Sequence, residues 1–234
     1  ITVPALFPAG ATDATKRAAK LAGFDQVEIL MEPVAAATTF AMENVGASGK
    51  WIVFDFGGGT FDASLLEVEE GIMKVVSSDG DNLLGGGDLD RALINEIMLP
   101  KIKENHNLDG LDESILKHLN NTLKNAADLI KIALSFDGEY DYLSDTQQFG
   151  LDADGNDIEL EYIFNKDEVH KLFVPYYQKA VDCVIRLLSK VNLTIDEIDE
   201  LILVGGPTQI PLFRKFIEEK LKKPNTTVDP MTGI

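Results

Sequence analysis

Cysteine is almost missing from this sequence: Cys183 stands alone, so no disulfide can form within the chain and a cytoplasmic setting is favoured. It lies in the helical stretch QKAVDCVIRLLSK, where a small buried apolar residue is the expected role. Histidine is nearly as scarce. His106, His118 and His170 are isolated from one another and from Cys183, which leaves a zinc site without a ligand set. Cations are also short, with 21 Lys and Arg against 39 Asp and Glu. The resulting net charge of −18 argues against nucleic acid or an anionic membrane surface as the main partner, because like charges repel. No apolar run reaches membrane-spanning length, and no signal peptide opens the chain. An initiator methionine is absent too: Ile1 begins inside ITVPALF, which reads as a piece of a longer protein.

What is present is a globular composition, 45% hydrophobic over 234 residues, enough for one large domain or two lobes. Any anion site in so acidic a chain has to be built from backbone N–H groups, helix ends, a metal ion and a few lysines. Glycine is the informative residue. WIVFDFGGGTFD, from Trp51 to Asp62, is an apolar run that ends on Asp55, breaks on Gly57, Gly58 and Gly59, and resumes through Thr60 to Asp62. Three glycines in a row suit either a tight hairpin needing positive φ or a backbone that approaches an anion with its N–H groups bare. A Walker-type loop is excluded, since strand-like TFDASLLEV follows the glycines and GASGKW carries no Ser or Thr after its lysine.

The expected elements alternate between strand and helix. A strand end at 1–3 precedes a helix at 14–22, a short strand at 27–31 and a helix at 33–43 that opens on Pro33. A meander follows at 51–56, 60–68 and 71–79. A second glycine cluster, LGGGDLD at Leu84 to Asp90, leads into a helix to about Glu104. Apolar residues at helical spacing predict a helix over 113–134; strands are expected at about 135–143 and 157–163, then a helix over 166–191. The strand 200–204, a Gly205–Gly206 turn and a helix over 210–223 close the series, giving an α/β class. That last turn is either a simple strand-to-helix connection or a further backbone anion site. DADGNDIE fails as a calcium loop, because Asp157 and Ile163 occupy the glycine and glutamate positions; an Asp-Gly hairpin is the better reading.

Together VPA at Val3, MEPVAAA at Met31, FDFGGGTFD at Phe54, LGGGDLD at Leu84 and ILVGGPTQIP at Ile202 resemble, in order and spacing, the DnaK-type chaperones of the heat shock protein 70 family. The resemblance covers essentially the whole chain. It implies an actin-like ATPase (ribonuclease H-like) fold, with residues 1–44 a remnant of the first lobe (subdomain IA), 45–84 and 165–234 subdomain IIA, and 85–164 subdomain IIB. By the same resemblance Glu32 and Asp55 order magnesium through its waters, Gly57, Gly58 and Gly59 cradle phosphate, Thr60 lies near the γ-phosphate and Asp62 near the attacking water. Gly86, Gly87, Asp128, Lys131, Ser135, Gly205, Gly206, Pro207 and Gln209 fall at positions around the nucleotide. ATP or ADP with Mg²⁺ is the implied ligand. The implied partners are a J-domain co-chaperone, a nucleotide exchange factor and unfolded client peptides bound by a domain beyond this chain.

Departures from the family pattern accompany these matches. Ile132 replaces an arginine that lies against adenine; Asp128 and Gly87 replace glutamates; Pro207 and Gln209 replace serine and arginine; Met231 replaces an aspartate. Glu28, Met31 and Val34 stand where many members have arginine, asparagine and threonine, in the neighbourhood that couples hydrolysis to the J-domain. Reversed charge at Glu28 predicts a diverged partner or a weakened response. The family's first phosphate hairpin and its phosphate lysine would lie upstream of Ile1, so this piece is expected to bind nucleotide without turning it over. The rival readings are a non-hydrolysing relative acting as regulator or scaffold, and an actin-like filament protein or sugar kinase of the same superfamily.

Overall fold

The structure is a computed structural model and describes residues 1–224. Strand β1 (Thr2–Val3), helix α1 (Ala9–Leu21), strand β2 (Leu30–Met31) and helix α2 (Glu32–Glu43) come first. β1 and β2 pair in parallel. They are followed by β3 (Gly49–Phe56), β4 (Phe61–Glu69) and β5 (Ile72–Asp81). The chain returns much later as β8 (Glu200–Val204), beyond α5, β6, β7 and α6 described below, and ends its described part in α7 (Pro211–Lys220). The main sheet has the order β5-β4-β3-β8, antiparallel except where β8 lies parallel to β3.

Period-two alternation divides this sheet into two buried faces. Trp51 and Val53 of β3, Leu66 and Val68 of β4, and Ile202 and Val204 of β8 pack against Ala36, Ala37 and Phe40 of α2. Phe40 meets the Trp51 ring edge-on at 5.0 Å. The intervening residues face the other way into an aromatic cluster, where Phe54 lies 4.6 Å from Phe61 and Tyr177 lies 4.7 Å from Phe213 of α7. A strand buried on both faces reads as an unbroken apolar run, which is why WIVF carries no polar residue.

The chain divides into two compact units: Ile1–Gly86 with the chain from Tyr177 onward, and Gly87–Tyr176. The second unit contains most of α3 (Gly86–Leu93), a π-helical turn (Ile94–Met98), α4 (Leu99–Asn105), α5 (Glu113–Phe136), β6 (Glu139–Leu143), β7 (Glu161–Asn165) and the first part of α6 (Lys166–Lys190). Pro100 accounts for the widened turn: its ring would meet the carbonyl of Glu96 in a regular helix, and it has no N–H to donate. Leu119, Leu123, Ala126, Ala127, Ile130 and Leu134 form the buried stripe of α5, as their spacing predicts.

Several boundaries differ from expectation. Helix α1 starts at Ala9, because Pro8 precedes its first turn and its carbonyl accepts the N–H groups of Ala11 and Thr12. The strand expected at 27–31 shrinks to Leu30–Met31, the part that finds a partner in β1. The strand expected from 135 begins at Glu139: α5 continues to Phe136, and Ser135 Oγ bonds back to the Lys131 carbonyl at 3.0 Å. The strand expected at 157–163 is displaced to Glu161–Asn165. Residues before it are held otherwise, Ile158 N–H by the Gly150 carbonyl and Leu160 N–H by Ser144 Oγ. Helix α7 stops at Lys220 instead of 223. Asp-Gly in DADGN does form a tight turn, with Gly155 N–H donating to the Asp152 carbonyl at 3.1 Å and Gly155 at φ 83°.

Candidate functional site

The parity that buries Trp51 and Val53 against α2 also fixes Asp55. It emerges from the same face at the end of β3, with Asp62 directly opposite on β4 and Val204 opposite on β8. Glu32 opens α2, the helix covering that face. The three carboxylates sense one another. Burial first, then Glu32, then Asp62, push the Asp55 carboxyl up to about 7. Glu32 is raised by burial and by Asp62, and Asp62 is raised by burial. Such a group, short of cations, is a place where a divalent ion would lower the energy of every member. No group of three His, Cys, Asp or Glu among the described residues is set to hold a bare ion directly.

Between Asp55 and Asp62 runs the first glycine turn. None of its glycines takes positive φ, so the tight-hairpin reason for them does not apply. A side chain added at Gly58 or Gly59 would meet nothing within 4 Å. Gly57 N–H closes the turn onto the Thr60 carbonyl at 3.0 Å, while the N–H groups of Gly58, Gly59 and Thr60 have no acceptor among the described residues. Thr60 itself is exposed. The turn thus presents three consecutive unpaired donors above a clear space, the form of a backbone anion cradle.

The two later glycine turns are packed onto the first. A Cβ at Gly85 would lie 2.5 Å from the Cα and N of Gly59 and 2.6 Å from the carbonyl carbon of Gly58. Gly86 N–H donates to the Gly57 carbonyl at 2.9 Å. Gly205, at φ 92°, faces Phe56, and a Cβ there would sit 2.6 Å from the Phe56 carbonyl carbon. Pro207 is buried, with its Cγ 3.1 Å from where a Cβ of Gly86 would stand. Thr208 N–H and Oγ1 both donate to the Gly205 carbonyl, at 3.1 and 2.7 Å, and Arg214 Nε donates to the Thr208 carbonyl at 2.8 Å. Gly206 and Gln209 are exposed.

Sequence reading missed Gly85 and Gly80 as contributors. Gly80 is the cross-strand partner of Asp62, and a Cβ on it would lie 3.1 Å from Asp62 Oδ1. The available signal was a second and third glycine in segments whose neighbours are strand formers or helix starts. In the second unit, Asp128, Lys131 and Ser135 share one face of α5, as their spacing requires. Lys131 Nζ is engaged by Asp90 at 2.6 Å, a residue the reading did not single out, and by Asp128 at 3.1 Å. Ile132 is 52% exposed. Gly87 lies in the first turn of α3. Met231 lies outside the described residues.

Comparison with known proteins accords with this arrangement. The family model described as Hsp70 protein matches residues 1–233. The chaperone protein DnaK of Nitrosopumilus maritimus is 34% identical over 100% of this chain and 36% of its own length. That of Thermotoga maritima is 34% identical, and that of Thermosipho africanus 36%, each over 98% of this chain and 38% of the relative. The chain therefore spans a little over a third of the length of these relatives. With a mixed α/β fold and a family model matched almost from end to end, this chain belongs to the Hsp70 family.

Proposed function

We propose that this chain is the ATP-binding part of a chaperone ATPase domain, whose nucleotide state gates peptide binding elsewhere in the full-length protein. On this reading residues 1–44 belong to the first lobe of an actin-like fold, 45–84 and 165–234 to the base of the second lobe, and 85–164 to its outer subdomain. The observation that carries the reading is the convergence of three glycine turns beside Asp55, Glu32 and Asp62. Unpaired N–H groups at Gly58, Gly59 and Thr60 bind phosphate oxygens, and they do so without a basic side chain. Glu32 and Asp55 hold the waters of Mg²⁺, which when bound neutralises phosphate charge; Asp62 orients a water on the same face. Lys131, Asp128 and Ser135 attend the nucleoside. Phosphoryl transfer asks chiefly for electrostatic placement, which backbone donors beside a group of carboxylates can give.

A J-domain co-chaperone, a nucleotide exchange factor and unfolded clients are the partners of the longer protein, in a cytoplasmic setting. Calorimetric titration with magnesium-ADP tests the reading. Saturable binding that is lost in Asp55→Asn and in EDTA supports it, whereas binding indifferent to both places the ligand elsewhere and overturns it.

A further inference from the structure

We propose that Met73 is a reversible oxidation site for small hydroperoxides, with the Thr38 hydroxyl placed to receive the new oxygen. A cavity of about 370 Å³ opens beside it, walled by Val34, Thr38, Ala41 and Met42 from one face of α2 and by Gly71 and Met73 from the entry into β5. All of these residues belong to the first unit. The cavity gives a small oxidant access to sulfur, while Met73 itself is only partly exposed and packs against the core beneath α2. Thr38 Oγ1 lies 3.6 Å from Met73 Sδ and donates to the Val34 carbonyl at 2.7 Å. A thioether is a weak acceptor, so it does not compete for the hydroxyl hydrogen.

A sulfoxide oxygen does compete. The terminal oxygen of the hydroperoxide passes to a sulfur lone pair: the O–O bond breaks, an S–O bond forms and sulfur is oxidised. The other oxygen departs as water, or as an alcohol, carrying the proton of the transferred OH. Methionine sulfoxide reductases reverse the change. The new polar oxygen sits at the edge of an apolar core, where lack of a donor would be costly. Thr38 supplies that donor at little expense, because the Val34 carbonyl it leaves still accepts the ladder bond of α2. Oxidation thereby replaces a weak contact between α2 and β5 with a strong one. Met42, 76% exposed, also meets oxidant, and Met98, fully buried in the second unit, is an internal control.

Hydrogen peroxide treatment of the whole chain, followed by peptide mass spectrometry, gives the first test. Met73 should gain one oxygen more than about tenfold faster than Met98, and sulfoxide reductases should remove it. Urea unfolding after removal of peroxide, read on Trp51 fluorescence, gives the second. Oxidation should lower the unfolding midpoint of Thr38→Val more than that of the parent, and the difference should vanish when Met73→Leu is added to both. Oxidation of Met42 is common to all four proteins and cancels. Met73 reacting no faster than Met98 overturns the proposal. So does a midpoint loss that is equal in the parent and Thr38→Val, or a difference that survives Met73→Leu.

Discussion

Replacing Asp55 with asparagine removes a charge that the fold holds unfavourably. The carboxyl is pushed from an ordinary 3.8 up to about 7, by burial first and then by Glu32 and Asp62. The folded chain thus keeps this proton to higher pH than the unfolded chain does. Stability must then fall as pH rises through the window between those two values and level off above it. The full gap corresponds to a ceiling of about 4 kcal/mol at alkaline pH. Between about pH 5.5 and pH 8 the penalty grows by about 2 kcal/mol, and Asp55→Asn, which cannot ionise, escapes that growth. The change with pH is the quantity to trust, because the fixed effect of burying an amide cancels from it. Trp51, the single tryptophan, sits fully buried in β3 four positions from Asp55, so its fluorescence reports unfolding of the right unit. Urea unfolding in EDTA at both pH values should show the variant gaining on the parent as pH rises. An advantage that stays constant or shrinks refutes the charge-repulsion account of this site.

Gly205→Ala should cost more than about 2 kcal/mol and abolish magnesium-ADP binding, since it joins a strained positive φ to a backbone collision with Phe56; urea unfolding and calorimetry read the two losses. Asp79, although burial opposes its charge, is held below the usual carboxylate range by hydrogen bonds from Lys190 and Arg186, at 2.8 and 2.9 Å. Its contribution is present above the ordinary carboxylate pKa and is lost as pH falls through its lower folded value. Asp79→Asn should therefore destabilise by about 1 kcal/mol at neutral pH, less in high salt, by urea unfolding. Glu28 is exposed, and on the chaperone reading proposed above Glu28→Arg in the full-length protein should raise J-domain stimulation of phosphate release severalfold; an unchanged response would overturn the role proposed for this position.

The sheet and its faces were legible because apolar alternation is set by which side each residue buries, and 51–68 states that parity without ambiguity. The glycine turn between Asp55 and Asp62 likewise marked the candidate site. What could not be read was the packing of turn on turn. Gly85 and Gly80 matter through the backbone they approach, 26 and 18 positions along the sequence from Gly59 and Asp62, and no local pattern encodes such a neighbour. Asp90 was hidden for the same reason, since its partner Lys131 is 41 residues away. Boundaries failed where ladder pairing overrides propensity, as at β2 and β7, and the π-helical turn depends on how one proline is absorbed in an otherwise helical run.

The interlock of three turns through main-chain atoms has a consequence for how such a site can change. Where side chains make a contact, substitution can adjust it in small steps. Gly85 and Gly205 offer no such gradation, because the first carbon of any side chain is already excluded. A systematic mutational scan would therefore show a cliff at these two positions and a gentle slope at Pro207, Gln209 and Ile132. Drift in this lineage can retune the side chains around these turns, residue by residue, while the interlocked backbone itself is inherited whole or lost.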